Sequence, residues 1–204
     1  MECRLLKKCS MKTKNKYFLL RHGQTIFQKE KIERIYSDDE YVSLEITQEG
    51  REKIAKQAEI LKEKNIDLIF SSPLLRARQS AQIVSEILGS PIIFDDRLVD
   101  MKMGEFSGQA TSVYDDFFLI KKLGLENRPN GGENWVDILA RMKSLIGDIE
   151  AKYENKNILI VSHGEPLWLW AAHSSGAKTA DELLATRKAK ENNLYPETGD
   201  LIEL

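Results

Sequence analysis

The chain has 204 residues, room for one sizeable hydrophobic core and little sign of a second domain. Apolar residues make up 42% and charged residues 30%, the balance of an ordinary soluble globular protein. The formal net charge of -2 argues against a general nucleic-acid binder, and no apolar run approaches the roughly 20 residues of a membrane span.

The first 16 residues carry Arg4, Lys7, Lys8, Lys12, Lys14 and Lys16 against Glu2 alone. No apolar stretch of signal-peptide length follows. Residues 1–16 therefore read as a basic, flexible tail, residues 17–204 as a single domain, and a cytoplasmic location is the expectation. Met11 is an alternative start. Cys3 and Cys9 both precede it, so the body has no cysteine for catalysis, disulfides or metal binding.

Residues 17–20, Tyr-Phe-Leu-Leu, read as a buried strand ending abruptly in Arg21-His22-Gly23. Residues 28–45 are rich in charge and weak in period, and read as a loop over the sheet edge. Thr47 opens a helix with Ile54, Ala58 and Leu61 on its core face. Residues 66–70 form a second strand that runs into Ser71-Ser72-Pro73. There Ser72 is placed to cap, and Pro73 to be the first residue, of a helix with Ala77, Ala81, Val84 and Leu88 on its apolar face. Gly89 ends it, and residues 91–94 form a short third strand. Residues 95–108 read as a loop, 112–123 as a short helix and 127–132 as a break. A long helix from about 133 to 153 buries Ile138, Met142, Leu145 and Ile149. The strongest strand, 157–162, ends in His163-Gly164. Helices over 166–174 and about 179–190 follow, and 201–204 close as an edge strand. Strands alternating with helices predict an α/β fold: a three-layer α/β/α domain with a largely parallel central sheet.

Three strand ends are alike: Arg21-His22-Gly23, Ser71-Ser72-Pro73 with Arg76, and Ser162-His163-Gly164. In a parallel sheet they lie along one edge, where ligands bind. Of three histidines in the chain, two stand at strand ends before a glycine. Converging arginine and histidine suit a tetrahedral dianion, with the helix start after Ser72 adding backbone donors. A metal is not expected, because no carboxylate pair flanks the histidines and two guanidinium groups repel a cation.

The segments 20–25 (Leu-Arg-His-Gly-Gln-Thr), 71–81 (Ser-Ser-Pro-Leu-Leu-Arg-Ala-Arg-Gln-Ser-Ala), Gly131-Gly132-Glu133 with Asp137 and Arg141, and Val161-Ser162-His163-Gly164 stand in an order that resembles the histidine phosphatase superfamily, the phosphoglycerate-mutase-like group. The resemblance implies that His22 is a nucleophile that becomes a phosphohistidine, that Arg21, Arg76 and His163 form the phosphate pocket, and that no cofactor is needed. His163 is expected to work protonated, since phosphate charge beside it favours the cation. The family's general acid is a glutamate four residues before a glycine. Asp100, one methylene shorter, falls on that position before Gly104, and Glu105 is its competitor, read as a solvated loop carboxylate.

Gln24 departs from the family's usual glutamate, and Gln28 stands where an asparagine often contacts phosphate. Gln28 and the hydroxyl of Thr25 remain candidate phosphate donors. Glu165 reads as a helix-start carboxylate complementing the dipole. His173 is expected on a helix face without a catalytic task, and Trp168 and Trp170 in the core. Tyr114, Phe117, Phe118 and Trp135 are candidates for a substrate lid over about 104–132, with ordinary packing as the alternative. The expected activity is metal-independent hydrolysis of a small phosphomonoester, because so short a lid leaves a phosphoenzyme open to water. The alternatives are a phosphoglycerate-type mutase and a non-catalytic phospho-ligand binder.

Overall fold

The computed structural model describes residues 4–5, 13–188 and 193–204. Its strands are β1 (Arg4–Leu5), β2 (Lys16–Arg21), β3 (Leu68–Ser71), β4 (Ile92–Phe94), β5 (Asn157–Ser162) and β6 (Leu201–Glu203), in one sheet of order β1-β6-β2-β5-β3-β4. β2, β5, β3 and β4 are parallel neighbours, and β6 runs antiparallel to β2. The helices are α1 (Ile26–Lys29), α2 (Asp38–Ser43), α3 (Gln48–Lys62), α4 (Leu75–Leu88), α5 (Thr111–Tyr114), α6 (Trp135–Lys152), α7 (Gly164–Ser174) and α8 (Ala180–Lys188).

The sheet is covered on both faces, which is why its central strands are apolar without interruption. Tyr17 and Leu19 of β2, with Ile158 and Ile160 of β5, pack against Ile138, Met142 and Leu145 of α6 and Trp168 of α7. Phe18 and Leu20, with Leu159 and Val161, face Ile54, Ala58 and Leu61 of α3 and Ala77, Ala81 and Val84 of α4. Burying each such side chain contributes about 1.5–3 kcal/mol. The three-layer α/β/α architecture with a largely parallel sheet is therefore observed.

Several local readings change. Residues 28–45 are not a plain loop: Ser37 and Glu40 form a capping box that starts α2. α4 begins at Leu75 with Leu74 as its N-cap, so Pro73 is not its first residue. The Ser72 hydroxyl accepts from the Leu74 amide at 3.3 Å but also lies 2.8 Å from His163 Nε2, which ties it to the strand end rather than to a cap. Residues 112–123 divide into α5 and a π-helical turn, Asp115–Ile120. That turn buries Phe118 against Trp135, with ring centres 5.9 Å apart, and sets Phe117 against Phe106. Phe118 and Trp135 are fully buried, so they are core rather than lid.

β6 is flanked by β2 and by the two-residue β1, not left as an edge. The expected tail falls largely outside the described residues. Of its described parts, β1 pairs with β6, and Lys14 and Asn15 bond Glu150 of α6 at 2.6 and 2.8 Å. The last two residues of the expected 179–190 helix also lie outside the described residues.

α3 docks end-on against the segment after His22. The Thr47 amide donates to Gln24 O at 2.7 Å, and a Cβ on Gly50 would stand 2.5 Å from that same oxygen. Gly50→Ala is expected to lower stability by about 1–3 kcal/mol in chemical denaturation, because backbone must shift to admit the methyl. Gly147 sits exposed in α6 with nothing near its missing Cβ. Gly147→Ala is expected to raise stability by up to about 1 kcal/mol. Equal effects at the two sites would refute the close approach at Gly50.

Candidate active site

The parallel register sets Arg21 beside Ser162, so the residues that follow, His22 and His163, emerge together. Their ring centres are 5.1 Å apart, and both side chains are buried. His22 Nδ1 lies 2.8 Å from Gly23 O, so Nδ1 carries the hydrogen and Nε2 keeps its lone pair. Burial first, then the positive charge of Arg76, the neighbouring His163 ring and Arg21, push this imidazole well below its usual 6.5 and leave it neutral. His163 Nε2 meets the Ser72 hydroxyl at 2.8 Å. Burial and the nearby Arg76, Arg21 and Arg141 hold His163 well below 6.5 too. Its burial and these arginines keep His163 neutral, and Asp100 Oδ2 stands 3.6 Å from its Nδ1.

Arg76 comes from the first turn of α4 and is fully buried. Its Nη2 donates to Asp100 Oδ2 at 2.9 Å and its Nη1 to Tyr41 O at 2.7 Å, while its Nε makes no hydrogen bond. Arg21 donates from Nη1 to Pro196 O at 2.8 Å, and its Nε is likewise unspent. The arginines thus keep donors in reserve for an anion. Gly164, at the start of α7, permits this crowding, since a Cβ there would sit 2.4 Å from the Tyr195 hydroxyl and 3.2 Å from Arg21 Cζ. Thr25 and Gln28 reach the same edge but are spent on each other. The Thr25 amide and hydroxyl donate to Gln28 Oε1 at 3.0 and 2.8 Å, and Gln28 Nε2 donates to the Tyr36 hydroxyl.

Of the two acid candidates, the fold brings only Asp100 to the cluster. Glu105 instead accepts from the Asn130 amide at 2.8 Å on the exposed side of its loop. The Gly131-Gly132-Glu133 motif and Arg141 hold the Asp100 loop from behind. Arg141 pairs with Glu133 at 2.9 Å and donates to Arg97 O and Asp100 O, while Glu133 accepts from the Lys102 amide. Asp137 caps α6 at the Asn134 amide. Gln24 accepts from the Thr47 hydroxyl, so it serves the α3 junction.

A cavity of about 790 Å³ opens over this cluster, with Arg21, Gln28 and Asp100 at its floor and Tyr36, Tyr114 and Glu165 in its walls. His22, Arg76 and His163 are reached through Asp100: Arg76 bonds its carboxylate at 2.9 Å, His163 approaches it at 3.6 Å, and His22 neighbours His163. Glu165 stands in the first turn of α7, as expected. It is 7% exposed and pairs with Arg187 at 2.6 Å. Arg187 and Tyr195 went unread in the sequence. Arg187 was findable, because it follows the buried Leu183 and Leu184 by four and three residues on one helix face. Trp168 and Trp170 are core, as their setting suggested, and His173 lies away from the cluster on α7. Among the described residues, no group of three or more His, Cys, Asp or Glu could hold a metal ion, and no helix is long and apolar enough to cross a membrane.

The family model for the histidine phosphatase superfamily (branch 1) matches residues 17–187. A putative phosphoserine phosphatase 2 of Hydrogenobacter thermophilus is 30% identical over 74% of this chain and 73% of its own. A probable phosphoglycerate mutase of Erwinia tasmaniensis is 25% identical over 74% and 70%. Among solved structures, a mycobacterial glucosyl-3-phosphoglycerate phosphatase in complex with VO3 superposes with a TM-score of 0.70 at 26% identity, covering 82% of this chain and 85% of that one.

Two neutral buried histidines make stability depend on pH. The unfolded chain protonates them near 6.5, while the fold does not, so the unfolded state binds more protons below that pH. Their contribution is complete above pH 6.5 and is lost as pH falls below it. Between pH 6.5 and 5.5 the loss is expected to be about 1 kcal/mol per histidine. It is read as the pH slope of denaturant stability, which should flatten in His22→Asn/His163→Asn. An unchanged slope would show that the histidines are charged in the fold.

Proposed function

This chain belongs to the histidine phosphatase superfamily and is a phosphoric monoester hydrolase; we propose that it moves the phosphoryl group of a small phosphomonoester first to His22 and then to water, with no metal or cofactor. The observation that carries this reading is His22 itself: a buried neutral imidazole, its Nδ1 hydrogen engaged by Gly23 O, with Nε2 free beside two arginines. A neutral nitrogen is a nucleophile, and fixed cations around it stabilise the charge on the transferring group.

The incoming phosphate displaces Asp100 from Arg76. Arg21, Arg76 and His163 then hold the non-bridging oxygens, and the phosphate charge favours protonation of His163. The Nε2 lone pair of His22 forms the N–P bond as the bond to the leaving oxygen breaks, and Asp100 relays to that oxygen a proton that the phosphomonoester monoanion brings in. In the second half water attacks phosphorus, Asp100 takes the proton back, and the N–P electrons return to Nε2. Thr25 and Gln28 add amide and hydroxyl donors at the floor once they part from each other.

Hydrolysis rather than mutase transfer follows from what shields the site. Residues 104–132 form one cavity wall, and part of that wall is committed to the core through Phe118. Water is thus expected to reach phospho-His22 before an intermediate reorients.

His22→Ala is expected to abolish turnover and to remove an acid-labile, alkali-stable phosphoenzyme formed from labelled substrate. EDTA should leave wild-type activity intact. Residual turnover in a folded His22→Ala protein, or loss on chelation with recovery by a divalent ion, would defeat the mechanism. Asp100→Asn is expected to lose about 10²–10⁴-fold on an alkyl phosphate, far less on p-nitrophenyl phosphate, whose leaving oxygen scarcely needs a proton. Glu105→Gln should do neither, and the reverse ranking would move the acid to Glu105.

A further inference from the structure

Tyr41, Arg76 and Asp100 close a ring of three hydrogen bonds at the edge of the phosphate pocket. Arg76 Nη2 donates to Asp100 Oδ2 at 2.9 Å, and Arg76 Nη1 donates to Tyr41 O at 2.7 Å. The Tyr41 hydroxyl completes the ring by donating to Asp100 O at 2.8 Å. Tyr41 thus holds the backbone of the acid with its side chain, and the phosphate arginine with its own backbone. Burial, then the charge of Asp100, raises the phenol above its usual 10, so the hydroxyl keeps its hydrogen and remains a donor.

Tyr41 sits in α2, which buries none of its residues. A helix so placed adds little to the core, and polar ties fix its position instead. Glu40 pairs with Arg34 at 2.7 Å, Asp38 accepts from the Ser107 hydroxyl at 2.7 Å, and Tyr36 O accepts from the Gly108 amide at 3.2 Å. Two of these ties reach the loop that follows Asp100. α2 is therefore a bracket between that loop and Arg76, and Tyr41 is the residue in it that touches both.

Phosphate entry opens one side of the ring, the bond between Arg76 and Asp100. The two sides made by Tyr41 remain. Arg76, retained at Nη1, presents Nη2 and the unspent Nε as a fork to the anion. Asp100, retained at its carbonyl, swings its carboxyl about a fixed backbone. Asp100 O also accepts from Arg141, but at 3.3 Å, so the bond from Tyr41 is the shorter. Asp100 is one methylene shorter than a glutamate and has little side chain with which to make up for a displaced backbone. A small shift of its Cα takes the carboxyl out of reach of the leaving oxygen.

We propose that Tyr41 is a positioning residue for the proton transfer: its hydroxyl fixes the backbone from which Asp100 reaches the leaving oxygen. The proposal rests on the phosphatase reading above and deepens it. The test is Tyr41→Phe, which removes one hydrogen bond and keeps both the ring and the carbonyl that holds Arg76. Its kcat/KM on glycerol 3-phosphate is expected to fall about tenfold, and much less on p-nitrophenyl phosphate, whose leaving oxygen scarcely needs a proton. Turnover of the aryl ester also reports that the variant is folded. In Tyr41→Phe/Asp100→Asn the loss on glycerol 3-phosphate should be no greater than in Asp100→Asn, because a residue acting through Asp100 then has nothing to position. Equal losses on the two esters, losses that add in the double variant, or an unchanged rate on glycerol 3-phosphate would each overturn the proposal and leave the phosphatase reading standing. A wild type that hydrolyses neither ester would defeat both.

Discussion

The pairing of β2 with β5 is the constraint on which the site depends. The two strands lie far apart in the chain, yet their parallel register is unbroken from Lys16 with Asn157 to Arg21 with Ser162. One residue further on, both chains leave the sheet, and each carries a histidine followed by glycine. A one-residue slip would turn every buried side chain of β2 to the opposite face, so the packing of Tyr17 and Leu19 against one layer and Phe18 and Leu20 against the other also fixes where His22 meets His163. Core packing and active-site geometry are in this sense one constraint.

The electrostatics of the pocket turn on a single carboxylate. Arg141 is answered by Glu133 at 2.9 Å, and Asp100 is the acid that the fold brings to Arg76. It answers Arg76 at 2.9 Å and approaches His163 at 3.6 Å, which are the contacts that a phosphate oxygen makes in the proposed mechanism. Asp100 is therefore both a stand-in for substrate and the group that substrate must displace. Its backbone is held by Tyr41 and Arg141, so the side chain can swing without losing the loop.

The strands and the three strand-end motifs were legible because they obey local rules: apolar runs for a doubly covered sheet, and charge at a strand end only where a site uses it. The α3 cap at Thr47 and the αL turn at Gly89 were equally local. What escaped the sequence was decided by contacts between distant segments. Glu165 reads as a helix-start acid, and its burial against Arg187 depends on the packing of α7 with α8. Residues 28–45 look like a loop because α2 has no fully buried residue. Phe118 and Trp135 looked available for a lid, and only the π-helical turn after α5 reveals that they stack inward.

β2 is near the start of the chain, and both of its sheet neighbours, β5 and β6, come from its end. Arg21 waits almost as long, because it bonds Pro196 O across 175 residues, and the Gly199 amide bonds the Arg21 and His22 carbonyls. A ribosome making this protein releases the apolar run 17–20 long before anything exists to pair with it. Folding therefore cannot close residue by residue behind synthesis. The central strand stays open on two edges until β5 and β6 have emerged, and contacts of such separation form slowly. That interval exposes a sticky strand to its own copies, so yield on refolding should fall as protein concentration rises.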